Sequence, residues 1–233
     1  MNLTWDTSWQ GMALINDMLL PNTYHASISF QFNTPERDKQ LVAFDRMEYL
    51  FSQVLSGSII ADVSNPLVSV LENTLDTMIN TLPTDPLDET IASVLLSKLI
   101  AITEDHILFD GISLSSSLGD HIVNSVSIED LPAYTFLYNN ALTAHKKDYI
   151  SWWHRSGIDP SDIMSEKDNV ISIVSLKEDW DTVELGWVSS EEVVDEATEI
   201  KEPAKVINMH GWKPKIIAGG RDGTRPMGPT STL

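Results

Sequence analysis

The segment "YHASISFQF" (24–32) does most to restrict the fold. Tyr24, Ala26, Ile28, Phe30 and Phe32 alternate with His25, Ser27, Ser29 and Gln31. Period-two alternation places the apolar set on one side of a strand and the polar set on the other. Such a strand belongs to a sheet with one packed face and one wet face, which is the habit of antiparallel sheets.

The residues after this strand are helical in pattern. Thr34-Pro35 reads as an N-cap and first helical position, and Leu41, Phe44, Met47, Leu50, Phe51 and Val54 recur at threes and fours until Gly57. A second helix is expected from Asn65-Pro66 to Pro83, with Leu67, Val70, Leu71, Leu75, Met78 and Ile79 as its stripe. A third is expected from Asp85-Pro86, carrying Ile91, Val94, Leu95, Leu99 and Ile102. Two strands then read as a hairpin, 106–114 and 120–128, closed by a loop at 116–119. A further helix is expected from Asp130-Leu131-Pro132, a strand at 169–176 and a weaker strand at 181–188.

Three helices in succession between the first strand and the hairpin do not make a βαβα alternation. The expected class is therefore α+β: a small, mostly antiparallel sheet with several helices on one face, plus an extended C-terminal arm. We divide the chain into a compact domain at 1–190, an acidic helix or linker at 191–204 and a basic arm at 205–233. The 42% hydrophobic content of the 233 residues is ample for a core.

Charge separates these parts. The net charge is −19, yet residues 201–233 hold six bases against two acids. Residues 1–140 hold 18 acids and 4 bases, and 178–199 hold nine acids and no base. Such a field repels nucleic acid and anionic membranes, so direct nucleic-acid binding is not expected. The absence of cysteine excludes disulfides and thiol chemistry. The first residues carry no secretory pattern, and the longest apolar stretch, "IASVLLSKLIAI", falls short of the roughly 20 residues that span a bilayer. We expect a cytoplasmic protein, or a virion component if the source is viral, with no membrane contact.

Patterns that carry chemistry are weak. Asp-His occurs at 105–106 and again at 120–121, but a hairpin loop at 116–119 sets His121 opposite Leu114 and far from His106. "EDWD" (178–181) lacks the spacing of a calcium loop and reads as a solvated acidic turn. "AGGRDG" (218–223) has no strand before it and no helix after it, so it reads as a turn and not a phosphate cradle. No cofactor, metal or catalytic residue is assigned.

The partner-binding residues are drawn from two places. Trp152 and Trp153, in "YISWWHRSG", cannot share one core stripe of a helix, and partner contact and core packing are equally open for them. In the arm, Val206, Ile207, Met209, Trp212, Ile216 and Ile217 are apolar anchors, while Pro203, Gly211 and Pro214 prevent a long helix. An extended segment with spaced anchors suits a sheet edge or a groove. The leading expectation is a non-enzymatic assembly component whose arm docks on neighbouring subunits, an arrangement common in virus and phage particles. An acidic protein that imitates a polyanion is the second expectation. An enzyme with a carboxylate–histidine site assembled from distant residues is the third.

Overall fold

A computed structural model describes residues 2–134, 151–158 and 179–187. The strand expected at 169–176, the acidic spacer and the whole basic arm lie outside the described residues.

The chain opens on a long hairpin, β1 (Leu3–Ile15) and β2 (Met18–Phe32), which turns through Asn16 and Asp17, both at positive φ. The alternation in 24–32 is the visible half of β2. Its partner β1 alternates too, with Leu3, Trp5 and Trp9 on the packed side and Thr4, Asp6, Ser8 and Gln10 exposed. Trp9 lies directly opposite Tyr24, and their rings stack at 4.9 Å. Such a pair contributes about 0.5–1.5 kcal/mol beyond its area burial.

Helix α1 (Arg37–Tyr49) comes next and runs straight into a π-helical turn, Leu50–Leu55. The wider turn buries Leu50, Phe51, Val54 and Leu55 together. Gly57, at φ +74, ends it as expected. The chain then forms β3 (Ile59–Asp62), α2 (Leu67–Thr74), β4 (Ile79–Leu82), α3 (Asp88–Thr103), β5 (Ile107–Ser116) and β6 (Asn124–Ser127). Residues 131–134 are helical, at the position where a helix is expected. The segment 181–187, expected to extend into a strand, instead forms turns, closed by Leu185 N–H donating to the Trp180 carbonyl at 2.7 Å.

The six strands among the described residues join one sheet in the order β4-β3-β1-β2-β5-β6. Three of its five strand interfaces are antiparallel, and β3 and β4 run parallel to β1. The expectation of three successive helices is corrected here. Strands β3 and β4 separate them, and from β2 to β5 strands and helices do alternate. Both short strands are buried on each side, so they show no period-two signal.

The helices also divide between the faces. α1 and α3 cover one face, over a core that includes Trp9, Tyr24, Ile28, Phe30, Met47, Leu95, Leu99 and Leu114. α2 packs on the other, where Val68 joins Leu14, Ile59, Ala61 and Ile79 in a second, smaller core. The one-sided helix layer expected from sequence is corrected by this second cluster.

Two buried cations fix the later segments onto the helix side. Lys98, in the middle of α3 and fully buried, donates from Nζ to the carbonyls of Trp152, Arg155 and Gly157 at 3.0, 2.8 and 2.6 Å. Arg46, in α1, donates to the carbonyls of Leu185 and Ile102 at 2.9 and 3.0 Å and to the Glu104 carboxylate at 3.1 Å. Its guanidinium lies 3.9 Å from the Trp187 ring centre and 4.7 Å from that of Trp180. Burial lowers the Arg46 pKa, and Glu104 beside it pulls the other way.

Candidate functional site

α2 covers only the β3–β4 end of its face. Among the described residues, nothing packs over the rest of that face, formed by β1, β2, β5 and β6. Side chains there obey strand parity. Cross-strand pairing aligns Asp6, Ser27, Ser113 and Ser125 in one row across four strands. A second row holds Ser8, His25 and Ser115. A third holds Thr4, Ser29, Gly111 and Ser127. Rows of this kind place neighbouring side chains about 5 Å apart. The hydroxyls of Ser113 and Ser125 bond at 2.8 Å.

The face forms a shallow basin of about 630 Å³, lined by Asp6, Ser8, His25, Ser27, Ser113 and Ser115 among others. Gly111 is needed for its far wall. A Cβ there would stand 2.6 Å from the Val126 carbonyl oxygen, so any side chain would push β6 off β5.

The β5–β6 connection forms one end of the basin and is tied down by polar bonds. The Asn22 side-chain oxygen accepts from Ser117 Oγ at 2.7 Å and from Leu118 N–H at 3.0 Å. Ser117 Oγ accepts in turn from Thr23 N–H at 3.1 Å. Asp120 and His121 both take positive φ. The result displays Ile122 and Val123 at 64% and 63% exposure beside the hydroxyl rows. Leu108, paired with Gln31 on the same face, is an exposed apolar residue towards the opposite end.

Chemically the basin offers many hydroxyl donors and acceptors, one imidazole and one carboxylate on adjacent strands. It is open to solvent and does not enclose a small molecule. Among the described residues no three histidines or carboxylates come together as metal ligands. Extended polar ligands suit such a surface better than a compact substrate does.

Trp152 and Trp153 take the core-packing alternative. Both are buried, at 1% and 2% exposure, and neither indole reaches the surface of the chain. They sit in a 3₁₀ turn, Trp152–His154, and not in a regular helix, which lets adjacent rings pack together at an 83° interplanar angle. The Trp152 indole N–H donates to the Thr81 carbonyl at 2.8 Å. Val206, Ile207, Met209, Trp212, Ile216 and Ile217 lie outside the described residues. His106 is not brought to His121; it packs against Trp187 at 4.3 Å. The β5–β6 register pairs Ser113 with Ser125 and leaves a longer connection than the expected 116–119 loop, so His121 lies in the connection, where its backbone N–H donates to the Ser116 carbonyl at 2.9 Å, and is not paired with Leu114.

The basin residues are readable from sequence in part. The alternation Thr4, Asp6, Ser8, Gln10 in β1 and Ser113 and Ser115 in "SLSSS" (113–117) mark wet positions, whereas Leu114 and Ser116 of that run are buried. Thr7 and Gly11 weaken the first signal, because the packed side there lacks large apolar groups.

No protein-family model matches the chain. No curated protein matches it either. Among solved structures, an uncharacterized protein from Wolinella succinogenes superposes with a TM-score of 0.38 at 11% identity, over 55% of this chain and 97% of that one. No described helix is long and apolar enough to cross a membrane.

Proposed function

We propose that the chain is a non-enzymatic assembly subunit, of the kind that builds virus or phage particles, and that its basic arm docks on neighbouring subunits. The observation that carries this reading is the half-uncovered sheet, with its pinned, apolar-tipped β5–β6 connection. A broad open surface of hydroxyls with apolar side chains at its ends suits an extended segment that brings its own anchors better than a compact substrate, which needs an enclosed concave pocket. The arm supplies what such a surface takes: Val206, Ile207, Met209, Trp212, Ile216 and Ile217 spaced among lysines and prolines.

Light scattering on the full chain and on a chain lacking residues 200–233 tests the reading. Removal of the arm is expected to reduce an oligomer to monomers while the circular dichroism of the body is kept. An unchanged mass ends the proposal.

A second reading has its own support. Of the four cations in residues 1–140, Arg46 and Lys98 are buried, which leaves Arg37 and Lys39 against 18 acids. A surface this one-sided suits occupation of a basic site on another protein. That reading requires capture of a lysine-rich protein that weakens steeply with salt. Capture that is indifferent to salt removes it.

A further inference from the structure

The open sheet face has a charge pattern that selects its occupant. The stretches 2–32 and 106–130, which supply β1, β2, β5 and β6 with their connections, contain Asp6, Asp17, Asp110, Asp120, Glu129 and Asp130, and no lysine or arginine. Asp6 lies in the basin itself. Asp110 is held on β5 by the Asn2 side-chain N–H, which donates to it at 3.1 Å from the start of β1. The segment 205–233 has the opposite character, with Lys205, Lys213, Lys215, Arg221 and Arg225 against a single acid, Asp222.

We infer that the basic arm of one copy lies across the open β1-β2-β5-β6 face of a second copy. This rests on the assembly reading above and names its docking surface. An extended arm presents backbone N–H and C=O groups, and the serine rows supply hydroxyls to meet them. Trp212 and Ile216 flank Lys213-Pro214-Lys215, so two cations lie between apolar anchors in the segment. The cations face Asp6 and Asp110, and the anchors reach the exposed Val123 and Ile122 at one end and Leu108 at the other. Opposite charges fix the direction and register of such contacts more than their strength.

The occupant is a second copy and not the same chain for two reasons. Residues 179–187, the last described before the arm, are clamped by Arg46 on the helix side of the sheet, away from the open face. The spacer beyond them, 188–204, carries six acids and one lysine. Charged linkers of one sign repel themselves and extend. The body is acidic too, so like charge gives the spacer no attraction to the face of its own chain.

The chain has no native cysteine, so introduced pairs can be read without background. Ser27→Cys in the basin and Ile216→Cys in the arm are placed in separate chains, co-expressed and oxidised. The expected result is a disulfide-linked pair of twice the 26.0 kDa monomer mass, lost when Gln53→Cys, exposed on the helix side, replaces Ser27→Cys. Carrying both Ser27→Cys and Ile216→Cys in one chain distinguishes the alternative: a link that forms only within that chain overturns docking between copies. The charge pair Asp6→Lys with Asp110→Lys is expected to cut the yield of the Ser27→Cys–Ile216→Cys link and to shift the assembled mass towards monomer, by less than arm deletion does. If arm deletion yields monomers while this variant and the crosslink do nothing, the arm reading stands and the face is wrong. If arm deletion leaves the mass unchanged, both fall together.

Discussion

The two faces of the sheet solve opposite problems with the same strands. On the helix side, β1 and β2 present Trp5, Trp9, Tyr24, Ile28 and Phe30 to α1 and α3, and two cations are buried there. On the open side the same strands present Asp6, Ser8, His25 and Ser27, with no lysine or arginine in the strands that form it. In a chain of net charge −19, half of the cations in the first 140 residues have been withdrawn from the surface. Burying a charge costs several kcal/mol unless hydrogen bonds replace its water. Lys98 and Arg46 meet that requirement with backbone carbonyls and one carboxylate. These cations act as internal ties between distant segments, while the open face carries Asp6 among hydroxyls and no lysine or arginine in its strands.

The contrast is broken hardest at the ties. Arg46→Ala strips the donors from the Leu185 and Ile102 carbonyls and the cation from between Trp180 and Trp187. We expect a loss of about 2–4 kcal/mol, chiefly from the orphaned carbonyls, since Glu104 is left partly exposed to water, measured by urea unfolding. Limited proteolysis should show early cleavage near 179–187 in the variant. Unchanged stability would mean the tie is incidental.

Next in size is an alkaline transition on the covered face. Burial pushes the Tyr24 phenol up to about 12 from 10.0, against a smaller opposing pull from Asn22 and with a further push from Asp88. The folded chain thus holds the phenol proton after the unfolded chain has shed it. The associated stability is complete below pH 10 and is lost as pH climbs towards 12. A rise of that size corresponds to about 2–3 kcal/mol. Tyr24→Phe removes this dependence, and since no hydrogen bond of ordinary length and angle holds the buried hydroxyl and Asn22 exerts only a weak pull on it, the substitution is close to neutral at pH 7. Parallel unfolding curves of the two proteins from pH 8 to 11.5 decide it: if they stay parallel, burial does not govern this group.

The covered face is also the more legible one, and the reasons are physical. The alternation in 24–32 identifies β2, because one side of it is wet. The repeats at threes and fours identify α1 and α3, although both helices begin three residues after the caps expected at Thr34 and Asp85. Strands β3 and β4 escape a reading by pattern because each is four residues long and buried on both sides. The ties are invisible for another reason. A lysine inside "VLLSKLIAI" looks like a solvated interruption until the carbonyls of Trp152, Arg155 and Gly157, more than fifty residues away, are seen to converge on it. The open face is half legible: its polar positions can be read off, but not the cross-strand rows, which depend on a register that the sequence leaves free.

The smallest predicted effect is the sharpest test of the contrast. Ser27→Ala and Ser113→Ala each remove one hydroxyl from the central row of the open face. Neither side chain takes part in the main core, and the Ser113 hydroxyl's partner, Ser125, is exposed to water. Such substitutions ordinarily change stability by about 0.5 kcal/mol or less. Unfolding curves should therefore overlay the parent, while the assembled mass of the full chain shifts towards monomer as hydroxyls that bond the incoming backbone are removed. A fall in stability of more than about 1 kcal/mol would show that the hydroxyl rows hold the sheet together rather than receive a partner.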